Sequence, residues 1–547
     1  MTLNRIVRYS NRLARWEGTT VRILGMIEFV FAMLLVVPTI IALCMGEDYT
    51  LFVYPILPLA LLGMFQYFFF YESKNFTSVN GLLLVGLVWL AMFLMSCIPY
   101  LISGMTLVDS LFEGISGITT TGLSVMVDVE SQPMSLLIWR SMTMWVGGIM
   151  VVIAFMYMLP MFGIGRSVFY NELSGSGSSN YSVRMKNAAK SFIFSYGVLS
   201  LINIVLLIVL GMDVLEAFCL MCTTISTGGL MFTNDGMASY SDAIQLVTIL
   251  FMFLGGTNFY LHYRALYKRE KKVYRSNSEF RTIVGWFLAI SVIIYLLVVF
   301  DSTTAHAMSI EEHLETFKNA LFTTVSLGTS TGLYVEDFTL YPSQCTALLM
   351  MVAIIGASSG STSGGIKFGR IRIIYEFIKN GFGKILHPNA VYEVKVDGTS
   401  VDDDTVFSSL TVFLLFVITM MVGSLIFMIA GMDMVDSFGL AISSVANGGM
   451  GFGNFGPTGN FASLEDPLKI VLIILMWLGR LEIVTALVLF TPGFWKELYN
   501  ERRSKKVSRS RMTQMKKGLA QDNPGGYGAL RGQTWTDRPR RMNRRRR

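Results

Sequence analysis

Apolar runs of bilayer length recur along this chain, and they constrain its fold more than any other feature. They occupy 22–46, 51–71, 79–104, 134–160, 188–212, 241–263, 282–300, 343–375, 406–431 and 466–494. About 20 such residues cross a bilayer core as helix, and lipid requires every backbone polar group to be satisfied within the segment. Of the 547 residues 15% are charged, where soluble chains carry about 25%. A soluble enzyme, a disulfide scaffold and a disordered regulator are excluded together. The expected fold is an all-α polytopic membrane protein with ten transmembrane helices.

The formal charge of +7 is unevenly placed. Residues 501–547 carry +13 by themselves, so the remaining 500 residues sum to −6. Nucleic acid is therefore not an expected partner, and a tail ending in four arginines suits a segment held near anionic membrane lipid. Its Pro-Gly-Gly-Tyr-Gly stretch adds to a composition expected to be disordered. Cys219 and Cys222 have C-x-x-C spacing but lack the second pair of a tetrahedral zinc set. With no clustered histidines, no Ser-His-Asp set and no nucleotide loop, neither an enzyme nor a prosthetic group is expected. Arg5, Arg8, Arg12, Arg15 and Arg22 precede the first run with no small-residue cleavage site, which reads as a retained cytoplasmic flank.

An even number of spans puts both termini on one side, and lysine and arginine accumulate on the cytoplasmic side. The connection after the fourth run carries Arg166, Arg184, Lys186 and Lys190. That after the sixth carries Lys268, Arg269, Lys271, Lys272 and Arg275, and that after the eighth Lys379, Lys384 and Lys395. The intervening connections hold acids such as Asp109, Glu113, Asp213, Glu216, Glu315, Asp433 and Asp436. Both termini are expected in the cytoplasm.

Four outer connections share a plan: an acid, a short amphipathic stretch, then a cluster of small residues. They begin at Asp109, Asp213, Glu315 and Asp433, and reach Gly122, Gly228, Gly332 and Gly448, glycines spaced by 106, 104 and 116 residues. That is an internal fourfold repeat. A single cluster is a turn between helices. Four in the same place imply non-helical backbone lining a polar cavity, because lipid cannot satisfy it. Each short helix would aim its partially negative C-terminus at the axis, and glycine would let the following strands approach an ion closely. Rings of backbone carbonyls replace the hydration shell of potassium in such filters. Acids expected at the outer mouth, Asp128, Glu130, Asp235, Asp242, Glu336 and Asp337, would concentrate cations.

With these residues in view the chain resembles the TrkH/TrkG-type potassium transporters of the Trk/Ktr/HKT superfamily, from about residue 22 to about 498. The similarity rests on Gly117-Ile-Thr-Thr-Thr-Gly122, Trp139-Arg140 with Trp145-Val-Gly-Gly148, Ser226-Thr-Gly-Gly229, Asn258-Phe-Tyr-Leu-His-Tyr263, Gly360-Ser-Thr-Ser-Gly-Gly-Ile-Lys367 and Gly479-Arg-Leu-Glu482. The resemblance implies four helix, pore helix, filter, helix repeats at 78–160, 161–267, 268–385 and 386–500. Before them come a flank at 1–21 and two extra spans at 22–77, and after them the tail at 501–547. It implies a potassium-binding filter of Thr120, Thr121, Gly122, Ser226, Thr227, Gly228, Ser330, Thr331, Gly332, Ala446, Asn447 and Gly448. Sodium-preferring relatives are similar except for a serine at the first filter glycine, so potassium uptake is expected. Channel-like passage and symport with sodium or protons both stay open.

The stretch 356–365 holds Gly356, Gly360, Gly364 and Gly365, followed by Lys367. Each glycine costs about 1 kcal/mol in continuous helix, so the eighth run is expected to break there. The residues allow either an intramembrane loop or close packing of small residues against another helix; the resemblance implies a loop that gates the conduit. Arg480 is a charge inside an apolar run and needs a polar site. It is either a gating charge in the conduit, as the resemblance implies, or one half of a structural salt bridge to Glu482 or another acid. The resemblance further implies a homodimer in the cell (inner) membrane, regulated by a cytosolic TrkA-type nucleotide-binding subunit.

Overall fold

The structure, a computed structural model, describes residues 18–70, 78–158, 181–301, 309–390 and 392–500. The tail at 501–547, most of the N-terminal flank and the connection with Arg166 lie outside the described residues. The chain divides into two units, Met1–Phe490 and Thr491–Arg547, and the helices from Gly18 to Leu489 belong to the first.

Helix α1 (Gly18–Leu34) runs on into α2 (Val36–Met45), and α3 (Thr50–Phe69) packs against α1. The two backbones touch where Gly25 faces Gly63, since a Cβ on Gly25 would lie 2.6 Å from the Gly63 carbonyl oxygen. Three residues on, Gln66 Nε2 donates to both carboxylate oxygens of Glu28, at 3.1 and 3.0 Å, giving this intramembrane acid its polar partner. Phe68, Val209 and Ile429 on the outer helices are 71%, 75% and 78% exposed. A hydrocarbon surround is the setting in which such a surface is stable.

Helix α4 (Ser78–Ser96) and the short α5 (Ile98–Ile102) lead to α6 (Leu107–Ile118) and then the long α7 (Met134–Met158). The same sequence of long, short and long helix follows as α8 (Tyr181–Val209), α9 (Val214–Ile225) and α10 (Asp242–Gly255). After α11 (Phe259–Leu266) and α12 (Val273–Ser276) come α13 (Ser278–Val299), α14 (Ile310–Gly328) and α15 (Ser343–Ile355). Then α16 (Phe368–Leu386) and a two-stranded ribbon, β1 (Lys395–Val396) with β2 (Thr399–Ser400), precede α17 (Asp403–Ile429), α18 (Met434–Val445), α19 (Asp466–Arg480) and α20 (Ile483–Leu489).

Among the described residues seven helices are long and apolar enough to cross a membrane, and nine if each of two bent pairs is one span. The bends correct the expectation that 241–263 and 466–494 are continuous. Between α10 and α11 the chain turns by 105°, where Asn258 leaves helical geometry and its Oδ1 caps α11 by accepting from Tyr260 N at 2.9 Å. Between α19 and α20 it turns by 109°, because Glu482 sits in the left-handed region at φ 52°. The break expected after 355 is present: α15 ends at Gly356 (φ 72°) and α16 starts only after Lys367 (φ 78°).

The starts of the short helices differ from the sequence expectation in two cases. Asp213 and Asp433 cap α9 and α18, accepting from Leu215 N and Val435 N at 2.9 and 3.2 Å. For α6 the cap is Thr106, with Asp109 in the first turn. For α14 it is Ser309, in a capping box with Glu312, so this helix begins well before Glu315. A hydroxyl oxygen satisfies the free N–H groups as a carboxylate does.

Candidate functional site: four converging turns and the loop against them

The C-termini of α6, α9, α14 and α18 end in one bonding pattern. Thr120, Thr227, Ser330 and Asn447 donate their backbone N–H three residues back, to Gly117, Thr224, Leu327 and Ser444, at 3.0, 3.2, 3.0 and 3.4 Å. The next residues, Thr121, Gly228, Thr331 and Gly448, donate five residues back at 2.9, 2.9, 2.7 and 2.8 Å. These two bonds define a Schellman terminus, whose first non-helical residue is left-handed and usually glycine. Here it is Thr120, Thr227, Ser330 and Asn447, at φ 51°, 53°, 56° and 50°. A left-handed residue with a Cβ costs about 1–2 kcal/mol, and such strain persists only where surrounding structure imposes it.

Two residues further on, Gly122, Gly229, Gly332 and Gly449 have φ 86°, 74°, 80° and 79°. They meet one another. A Cβ on Gly122 would overlap the Gly228 carbonyl oxygen and lie 2.9 Å from Gly449 Cα; one on Gly229 would overlap Thr331 O; one on Gly332 would be 2.6 Å from Gly449 C. The four turns therefore converge in the order of the chain around a common centre, close enough that only glycine fits. Backbone geometry thus aligns Gly122 with Gly229, not Gly228, and Gly332 with Gly449, not Gly448. A Cβ on Gly448 would meet nothing nearer than 3.7 Å.

The segment 356–367 lies directly against these turns. Gly364 N donates to Ser330 Oγ at 3.0 Å and Gly365 N to Ala446 O at 3.1 Å. Thr362 Oγ1 lies 3.2 Å from Thr227 Oγ1 and within hydrogen-bond distance of Ile225 O and Gly255 O. The loop thus touches the second, third and fourth turns. Its small residues are what make this possible, since a Cβ on Gly364 would overlap Ala446 O.

Two cations attend the loop. Lys367 Nζ is buried against Ser363 O and Ser363 Oγ. Arg480 is 7% exposed and donates from Nη1 to Thr362 O at 3.0 Å, while Nε and Nη2 have no hydrogen-bond partner among the described residues. Glu482 does not pair with Arg480; it takes Arg370 instead, with Nη2 at 2.8 and 2.9 Å from its two oxygens. The salt-bridge reading of Arg480 is thereby corrected: the left-handed turn at Glu482 carries its carboxylate to the first turn of α16.

A family model described as TrkH, cation transport protein, matches residues 60–497. The chain belongs to the TrkH family. It is similar to the Trk system potassium uptake protein TrkH of Escherichia coli K12, 30% identical over 489 residues that cover 87% of this chain and 99% of that one. It is also similar to the Trk system potassium uptake protein TrkG of the same organism, 29% identical over 423 residues, 76% of this chain and 85% of the relative. The crystal structure of the potassium transporter TrkH from Vibrio parahaemolyticus shares the fold, with a TM-score of 0.79 at 29% identity over 87% of this chain and 99% of that one. This is a helical membrane-protein fold.

Within this TrkH-family chain one buried ion pair escapes a reading of the sequence. Glu113, placed above among the outer acids, is fully buried in α6 and pairs with Arg140 of α7, Nε to Oε2 at 3.0 Å. Its other oxygen accepts from Ser124 Oγ and Val125 N at 2.6 and 2.7 Å, and Arg140 Nη1 donates to Met231 O at 2.8 Å. The pair ties the strand after the first turn to the strand after the second. Of the six acids expected at the outer mouth, Asp128 and Glu130 accept from Asn234, Glu336 from Asn319 and Asp337 from Thr458, and Asp242 pairs with Lys318.

Proposed function

We propose that this chain takes up potassium across the cell membrane through a filter made by its four converging turns. The observation that carries the reading is the meeting of Gly122, Gly229, Gly332 and Gly449, each at the end of a short helix whose partial negative charge faces the same centre. A dehydrated monovalent cation is the ligand such a ring of carbonyls suits. The relatives are potassium uptake proteins, which makes potassium the ion. The filter then comprises Thr120, Thr121 and Gly122, Thr227 to Gly229, Ser330, Thr331 and Gly332, and Asn447 to Gly449. Ser226 and Ala446 stand one residue before it, and their carbonyls accept from Thr227 Oγ1 and Gly365 N.

In this reading the chain crosses the membrane ten times, counting each bent pair once and joining α15 to α16 across the loop. Loop 356–365 is the gate, with Gly356, Gly360, Gly364 and Gly365 giving it the small cross-section it needs under the filter. Arg480 and Lys367 place positive charge in the cation's route, a barrier to leak while the loop is seated. Both termini are cytoplasmic, and a homodimer regulated by a TrkA-type nucleotide-binding subunit completes the assembly by resemblance. Passage down the electrical gradient and symport with sodium or protons both fit this geometry.

The test is rubidium and sodium flux in proteoliposomes at a clamped membrane potential, for the wild type and Gly122→Ser. A rubidium preference that the substitution abolishes is the expected result. A preference unchanged by it would overturn the filter assignment.

A further inference from the structure

We infer that the side-chain amide of Asn447 has a positioning role separate from its backbone carbonyl in the filter: it braces the first filter turn against the helix carrying Arg480, and sets ion preference without itself touching the ion. This rests on the four turns being the filter. Asn447 Nδ2 donates to Thr121 Oγ1 at 2.7 Å and to Met476 O, in α19, at 3.1 Å. Both amide hydrogens are used. The amide oxygen faces α19, because a Cβ on Gly479 would lie 3.0 Å from Asn447 Oδ1.

The direction of every bond in this chain is determined. Thr119 Oγ1 donates to Ile115 O at 2.6 Å, so its 2.7 Å contact with Thr121 Oγ1 must be one in which Thr121 donates. Thr121 has then spent its only hydrogen and can only accept from Asn447. The side chain that completes the first turn thus comes from the fourth, and its other anchor is one turn of helix from Arg480.

The third turn repeats half of this arrangement. Thr331 and Thr329 are linked at 2.7 Å, and Thr329 donates to Val325 O at 2.7 Å. The residue equivalent to Asn447 beside it is Thr227, which is shorter and directs Oγ1 to Ser226 O and toward Thr362 of the loop. One side of the ring is therefore fixed by a side-chain amide and the opposite side by the gate loop. That difference explains why an asparagine stands at the left-handed position of the fourth turn, where the others carry hydroxyls.

Asn447→Asp separates a brace from an ion ligand, because aspartate keeps the shape but offers acceptors only. Met476 O has no hydrogen to give it, and Thr121 Oγ1 could give its own only by abandoning its bond to Thr119. Rubidium and sodium fluxes are read from the same proteoliposomes of the full chain, so their ratio does not depend on how much protein folds. The expected result is a fall in rubidium preference of about fivefold to tenfold, the scale of one lost buried hydrogen bond. Thr121→Val should give a fall no larger than that of Asn447→Asp, and the double substitution no further fall than Asn447→Asp alone, since the two share the Asn447–Thr121 bond. A preference kept or sharpened in Asn447→Asp, or additive effects of the two changes, overturns the brace. If Asn447→Asp carries no flux, Thr121→Val decides alone, an unchanged ratio being contrary. Gly122→Ser runs alongside: if it too leaves the ratio unchanged the filter reading has failed, whereas a shift there with none in the other variants refutes only the brace.

Discussion

Arg370 and Glu482 are joined by a bidentate contact, Nη2 at 2.8 and 2.9 Å from the two carboxylate oxygens, although 112 residues separate them. One sits in the first turn after the gate loop and the other at the bend between α19 and α20. The ion pair therefore ties the exit of the loop to the element that presents Arg480. Two left-handed residues flank it, Lys367 at φ 78° and Glu482 at φ 52°, and both conformations carry a cost that this contact helps to offset.

Removing the tie should loosen the seated loop. Glu482→Gln and Arg370→Gln are each expected to raise rubidium leak measured without any regulatory subunit. The exchanged pair, Arg370→Glu with Glu482→Arg, should leak less than either single reversal. Leak equal to that of the wild type in both glutamine variants would show that the contact does not hold the loop.

Arg480 has no carboxylate partner among the described residues and keeps one hydrogen bond to the loop. Arg480→Gln keeps a donor for Thr362 O and deletes the charge. Rubidium flux should rise about tenfold, which corresponds to about 1.4 kcal/mol off the barrier, with the rubidium-to-sodium ratio unchanged. Flux equal to that of the wild type would remove the charge from the gate.

The paired glycines give a sharper contrast. Gly449→Ala places a methyl group 2.5 Å from Gly332 Cα on a backbone at φ 79°, whereas Gly448→Ala makes only ordinary contacts, the nearest at 3.7 Å from Ser443 Cα. Gly449→Ala should abolish flux and Gly448→Ala should retain most of it. The reverse order would restore the alignment of Gly122 with Gly448.

Glu113 and Arg140 are both almost fully buried. Breaking a buried pair from one side leaves an uncompensated charge and costs about 3–5 kcal/mol. Glu113→Gln and Arg140→Met should each lower the melting temperature in detergent markedly, and the double change Glu113→Leu with Arg140→Met should lower it less than either. A double variant as unstable as the sum of the singles would mean the two residues act independently.

What the sequence discloses and what it conceals follow from how local each signal is. The apolar runs are local patterns and most of the helices lie on them, although two of the runs bend and α14 begins before Glu315. The break at 356–367 was legible because four glycines cannot remain in helix cheaply. The alignment of the second and fourth turns was not, because Gly228-Gly229 and Gly448-Gly449 fit the motif in two ways and only the backbone bonds to Thr223 and Ser443 choose between them. The bends at Asn258 and Glu482 contain no proline to announce them. Glu113 read as an acid of an outer connection because its partner, Arg140, belongs to the next long helix, and no period in the sequence links the two.

The most direct measurement is anomalous diffraction from crystals of the full chain grown in rubidium. If the four turns hold the transported ion, rubidium density will lie on the axis enclosed by the carbonyls of 120–122, 227–229, 330–332 and 447–449, and sodium will not displace it at equal concentration. Rubidium bound elsewhere in the conduit, with none between these turns in protein that still conducts it, would contradict the assignment.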